Sequence, residues 1–167
     1  MSAFDRVQAI LHQHDIDYAV IGAAALAAHG VARSSFDIDV LTMDARVFDT
    51  RLWAAFKGEA DIRRGDSDDP LAGVVRIASD EEPVDIIVGK HQWQRRAVER
   101  AERVGGGPPI ALARDLVLLK LYAGGSQDAW DIRELLKSRP ASLVDDVEAD
   151  LTSLPDEMRQ RWRALHI

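Results

Sequence analysis

The sequence contains no cysteine. This excludes a disulfide framework, thiolate zinc sites and cysteine nucleophiles, and it fits a reducing compartment. No run of ~18 apolar residues able to span a bilayer is present. The first residues, Met1 to Leu11, carry charge in an amphipathic pattern and lack the apolar centre of a signal peptide. A cytoplasmic protein with no membrane partner is the expectation. Positive charge is not in excess either: 21 Lys and Arg stand against 28 Asp and Glu, a net charge of -7. Non-specific nucleic-acid binding draws its affinity from neutralised phosphates, so a general DNA-coating role is disfavoured. Arg95, Arg96, Arg100 and Arg103 form one local basic stripe, and Arg159, Arg161 and Arg163 another. Both read as solvated helix faces. Internal repeats and low-complexity tracts are missing.

What is present suffices for a core. The 167 residues are 47% hydrophobic and 29% charged, close to the globular average and enough for one domain, or a core with a helical appendage. Helical spacing marks residues 3–14 through Phe4, Val7, Ile10 and Leu11. Tyr18–Ile21 reads as a strand, broken by Gly22 and followed by an alanine-rich helix that Gly30 closes. Residues 36–41 alternate as a strand, and Asp44 caps a helix carrying Val47, Leu52, Trp53 and Phe56. Residues 64–70 form a turn-rich loop. Residues 73–78 and 83–88 read as a hairpin across the acidic turn 79–82, and a basic helix spans roughly 91–103. The run Gly105-Gly106-Gly107-Pro108-Pro109 reads as a boundary, beyond which four helical patterns follow. The expected class is α/β (α+β): a small mixed β-sheet core packed with helices over 1–105, and a helical C-terminal part over 106–167 packed on it.

Chemistry concentrates in three acids. Asp37 and Asp39 stand two residues apart on an apolar strand, so their side chains share a face. Asp85 is an isolated acid inside Val84-Asp85-Ile86-Ile87-Val88. Half-buried carboxylates repel one another unless paired or bound to a cation. If the two strands are neighbours, three hard oxygen donors converge in a manner suited to Mg²⁺ and phosphoryl chemistry. If they are not, the chain is a structural or dimerisation protein with no ligand. Gly22, at a strand end before a helix, lets backbone approach a ligand closely. His29 reads as a dipole partner at its helix end, and Asp128 as a helix cap. Asp131 reads as a partner of Arg133 or Lys120. His12, His14 and His91 lack metal-ligand partners at suitable spacing. The tryptophans read as core or interface.

The stretch Ile21-Gly22-Ala23, about fourteen residues ahead of Asp37-Ile38-Asp39-Val40, resembles the signature of the DNA polymerase beta-like nucleotidyltransferase superfamily. That signature is Gly followed by Gly or Ser, a short helix, Asp-x-Asp on the next strand and a third acid on a later one. The chain looks most like the small bacterial abortive-infection nucleotidyltransferases of toxin–antitoxin systems. There, a small residue and Arg precede the Asp-x-Asp, as Ala32 and Arg33 do here, and later motifs match Leu116, Leu119, Lys120, Asp128 and Asp131. The resemblance implies a nucleotidyltransferase core. Asp37, Asp39 and Asp85 would be catalytic and hold Mg²⁺, with Mn²⁺ as a substitute. Gly22, Ala23, Arg33 and Lys120 would bind a nucleoside triphosphate such as ATP. The acceptor hydroxyl would belong to a transfer-RNA end, a protein side chain or a small molecule, and an antitoxin could be a partner. One departure stands out: Ala23 replaces the usual Gly or Ser. It motivates a second reading, a catalytically degenerate fold that binds nucleotide or protein without turnover.

Overall fold

Along β5 (Val84–Val88) and β4 (Gly73–Ile77), one set of alternating side chains is apolar and the other mixed, and the sheet separates the two sets. A computed structural model describes residues 1–138 and 140–165. Its seven-stranded sheet has the order β3-β4-β5-β2-β1-β7-β6. The remaining strands are β1 (Tyr18–Ile21), β2 (Ile38–Thr42), β3 (Ala60–Arg64), β6 (Glu102–Arg103) and β7 (Pro109–Ile110). On one face Val40, Val75, Ile77, Val84 and Ile86 are wholly buried. Each such side chain contributes roughly 1.5–3 kcal/mol relative to exposure. Helix α1 (Ala3–Gln13), two 3₁₀ segments (Ala45–Phe48 and Thr50–Phe56) and α3 (Gln92–Glu99) pack against the strands here. The opposite face stays open at β3 to β5, while α2 (Gly22–Ala28) lies against β1 and β2.

The mixed α/β class is as expected, and the hairpin β4–β5 forms across the acidic turn. Several details differ. Phe36 lies ahead of β2, and its side chain is exposed. The single helix expected after Asp44 is two 3₁₀ segments. Asp44 accepts hydrogen bonds from Arg46, and Asp49 repeats the motif on Arg51. Asp49 is itself extended (φ -76°, ψ 115°), so it ends the first segment and caps the second. The basic helix stops at Glu99, and Glu102–Arg103 turns back as β6. The glycine run forms the turn between β6 and β7, and β7 joins the sheet parallel to β1 through Val20 and Ile110.

Four helices follow: α4 (Ala113–Ala123), α5 (Ser126–Lys137), α6 (Leu143–Leu151) and α7 (Asp156–Leu165). Arg100 is not solvated as its stripe suggested. Its guanidinium donates to Asp115, which is buried on α4, and to Asp150 on α6 at 3.1 Å. Arg114 donates to the same Asp150 oxygen at 2.8 Å. Arg161 is also committed, donating to the carbonyls of Leu121 and Tyr122 at the end of α4. These bonds fasten the helices to one another and to α3. Among the described residues no helix is long and apolar enough to cross a membrane.

Candidate active site

Strand register sets Asp39 beside Asp85. β2 and β5 are parallel neighbours, with Asp39 directly opposite Asp85. Adjacent strands lie roughly 4.8 Å apart, so the two carboxylates leave the sheet side by side. Asp37 stands two residues before Asp39 and shares its face. That face is the open one. The strands of Asp39 and Asp85 are thus neighbours, unlike the arrangement expected of a structural or dimerisation protein with no ligand.

Crowding shows in the electrostatics. Burial, then the charges of Asp85 and Asp37, push the Asp39 carboxyl up to about 6, against the pull of Lys120 and Arg33. Asp85 is also raised, mainly by burial and further by Asp37, with Arg76 opposing. Asp85 Oδ1 is buried without a hydrogen-bond partner. No hydrogen bond or ion pair to the Asp39 side chain exists among the described residues. Unpartnered carboxylate oxygens on two adjacent strands are a donor set whose chemistry fits a hard divalent cation. The side chains are nevertheless not gathered: among the described residues no three acidic or imidazole groups converge on one metal position. Arg76, opposite Asp85 on β4, reaches two of the acids: its guanidinium lies 2.8 Å from Asp85 and 3.4 Å from Asp37.

Gly22 opens α2 with φ +63°, a conformation costly for any other residue. A Cβ there would lie 2.1 Å from Asp39 Oδ2. The close approach that this glycine permits is thus first of all that of the Asp39 carboxylate. Ala23 follows with its side chain buried.

Arg33 and Lys120 do not point freely at a ligand. Arg33 reaches Asp131 at 2.5 Å and Lys120 reaches it at 2.6 Å, and Asp131 is fully buried. Asp131 therefore pairs with Lys120, one of its two expected partners, and with Arg33 rather than Arg133. Asp128 accepts from the Gly125 N–H, as a cap should, and also holds Lys120 at 3.2 Å. Replacing Asp131 by alanine leaves Lys120, whose side chain is 10% exposed, with Asp128 alone. A loss of about 2 kcal/mol is expected. Thermal melts check it: the double variant Asp131→Ala/Lys120→Met should recover most of the loss, and equal melting of the two variants would refute the pairing.

His29 Nε2 donates to the Ala111 carbonyl, 2.8 Å away, and so ties the end of α2 to the chain after β7. His91 meets the Tyr122 hydroxyl at 3.0 Å. Trp53, Trp93 and Trp162 are buried, while Trp130 is partly exposed. Arg76 is the site residue that the sequence reading did not single out.

No protein-family profile matches the sequence, and no curated protein matches it. Solved structures do. The solution structure of the antibiotic-resistance factor ANT(2'')-Ia aligns with a TM-score of 0.59, covering 97% of this chain and 92% of that one at 15% identity. The crystal structure of ANT(2'')-Ia in complex with adenylyl-2''-tobramycin gives 0.57, covering 95% and 96% at 15% identity. The chain shares the fold of ANT(2'')-Ia. Within it, the open face of β2 and β5 carries Asp37, Asp39 and Asp85, and the start of α2 lies against Asp39.

Proposed function

We propose that the chain is a Mg²⁺-dependent nucleotidyltransferase, with Mn²⁺ as a substitute. It would move a nucleotidyl group from a nucleoside triphosphate to a hydroxyl of a small molecule. The observation that carries this reading is the register placing Asp85 beside Asp39, with Asp37 on the same open face. Asp37, Asp39 and Asp85 would hold the metal, which when bound supplies charge neutralisation for the triphosphate. Gly22 and Ala23, at the start of α2, would lie under the phosphates. Arg33, with its side chain about a third exposed, would add positive charge, and Lys120 would support it through their shared partner Asp131.

The acceptor oxygen attacks the α-phosphorus in line, the bond from that phosphorus to the β-phosphate oxygen breaks, and pyrophosphate leaves. Asp85 would take the hydroxyl proton, a role supported by its carboxyl being raised by burial. Positioning and charge stabilisation do most of the work in such transfers.

Three observations support a small acceptor over an RNA end or a protein, and with it over a toxin role. The net charge is -7, unfavourable to phosphate-rich acceptors. A groove of about 410 Å³ runs beside Asp85 over β3 and β4, lined in part by Asp61, Arg63, Asp69 and Arg76, a size suited to a small molecule. ANT(2'')-Ia, with adenylyl-2''-tobramycin in its complex, is similar over nearly the whole length of both chains.

Ala23 favours the second reading, a degenerate site that binds without turnover. The test is a calorimetric and thermal-shift titration of the four ribonucleoside triphosphates, with and without Mg²⁺, on the wild type and on Asp37→Ala. Binding that needs Mg²⁺ and is at least ten-fold weaker in Asp37→Ala is expected, as loss of a metal ligand costs roughly 1.4 kcal/mol or more. Absence of binding by every triphosphate would turn the reading to the degenerate one.

A further inference from the structure

Arg76 sits where its charge matters most. It lies on β4 directly opposite Asp85, which in turn lies opposite Asp39 on β2. One guanidinium nitrogen donates to Asp85 Oδ2 at 2.8 Å, and the other reaches Asp37 Oδ2 at 3.4 Å. The arginine thus spans two of the three acids from the side of the groove. Among the described residues its side chain makes no other hydrogen bond or ion pair. Its side chain is 46% exposed, against 18% for that of Asp85. It is therefore held by the two carboxylates alone and has open solvent into which it can withdraw.

We propose that Arg76 is a built-in counter-cation that occupies the Asp37–Asp85 position in the metal-free protein and must be displaced before a divalent cation binds there. The inference rests on the metal-site reading above. A divalent cation and the guanidinium compete for Asp85 Oδ2 and Asp37 Oδ2, because both draw on the same two oxygens and the two positive charges repel at that separation. Among the described residues the three acids are not gathered. Two of them are held by the guanidinium, while Asp39 keeps no partner among the described residues. Displacement has a consequence for the groove that Arg76 lines with Asp61, Arg63 and Asp69. Loading the metal releases a guanidinium into that groove, so the charge presented to an acceptor becomes more positive once the site is filled.

The test is a calorimetric titration of Mn²⁺, without nucleotide, on the wild type, Arg76→Met and Arg76→Lys, paired with thermal melts. An exposed two-point ion pair is worth at most about 1 kcal/mol, so removing the competitor is expected to tighten Mn²⁺ binding roughly two- to five-fold in Arg76→Met. The same variant should melt lower without metal and show a larger rise on Mn²⁺ addition. Arg76→Lys keeps a charge that cannot bridge both carboxylates, and it should bind Mn²⁺ with intermediate affinity. It carries the test alone if Arg76→Met does not fold. An arginine that merely pins the hairpin would lower the melting temperature and leave Mn²⁺ affinity unchanged. That result, or weaker binding, overturns the inference while leaving the metal site standing. Failure of Mn²⁺ to bind wild type and both variants alike would overturn the metal site itself, and this inference with it.

Discussion

Replacing Asp39 by asparagine is expected to raise the melting temperature of the metal-free protein by about 4–8 °C while lowering nucleotidyl transfer on the order of 10³-fold. The two effects share one cause. Asp39 is half-buried beside Asp85 and Asp37 with no partner of its own among the described residues, and its carboxyl is pushed up to about 6 from an ordinary 3.8. A carboxyl whose folded pKa lies above its unfolded one opposes folding when ionised. Its favourable contribution is fully present below the unfolded value and is lost as pH rises through the folded value. Between pH 3.8 and about 6 the wild type therefore gains stability as pH falls, and above that window it bears the full penalty. A shift of this size corresponds to roughly 2 kcal/mol after allowance for solvent screening. Asparagine keeps the shape and removes the charge, so the variant escapes the penalty at pH 7.5. The gap between variant and wild type should narrow as melts are repeated toward pH 5.5. Mg²⁺ should raise the wild-type melting temperature and leave the variant nearly unmoved, because the neutral amide is a far poorer metal ligand. An asparagine variant no more stable than wild type at pH 7.5 would mean that the three acids do not strain one another.

How much of this could be read from the sequence depends on the range of the interaction. Local alternation placed Asp37 and Asp39 on one face and isolated Asp85 within an apolar strand, because side-chain direction in a strand repeats every two residues. The hairpin across residues 79–82 is also local. Pairing its arms symmetrically about Asp80 and Glu81 sets Arg76 opposite Asp85, as found. The signal for Arg76 is thus local and present in the sequence. That β2 lies parallel to β5, skipping two strands in sequence, is a property of sheet order, and no local pattern encodes it. β3 was missed because Ala60-Asp61-Ile62-Arg63-Arg64 carries charge at three of five positions. It is an edge strand with one face open, where charged side chains are tolerated and discourage further pairing. β7 was missed because its two residues, Pro109 and Ile110, sit beside a glycine-rich turn and pair with β1 across a long sequence separation. The partners of Lys120 and Arg33 were hidden for a similar reason. Arg33 and Asp131 are separated by 98 positions, and only the packed helices bring them together.

The second large effect is expected from Gly22→Ala. The backbone at this residue has φ +63°, and a left-handed conformation costs an alanine roughly 1–2 kcal/mol. The added methyl would also stand 2.1 Å from Asp39 Oδ2, 3.0 Å from its Cγ and 3.1 Å from its Cβ. The carboxylate must then rotate off the start of α2, away from its place beside Asp85. A total loss of about 2–3 kcal/mol is expected, together with a fall of at least 10²-fold in both Mn²⁺ affinity and nucleotidyl transfer. A phosphate loop acting alone predicts something different. There the glycine would serve only the bound triphosphate, and the metal-free melting temperature would fall by the backbone strain and no more. A double-mutant cycle with Asp39→Ala separates the two, since that substitution removes the Oδ2 and Cγ contacts and leaves the strain in place. If Asp39 is what Gly22 makes room for, adding Gly22→Ala to Asp39→Ala should be markedly less harmful than adding it to the wild type. Equal penalties in both backgrounds would assign the glycine to the backbone turn, and the carboxylate would not depend on it.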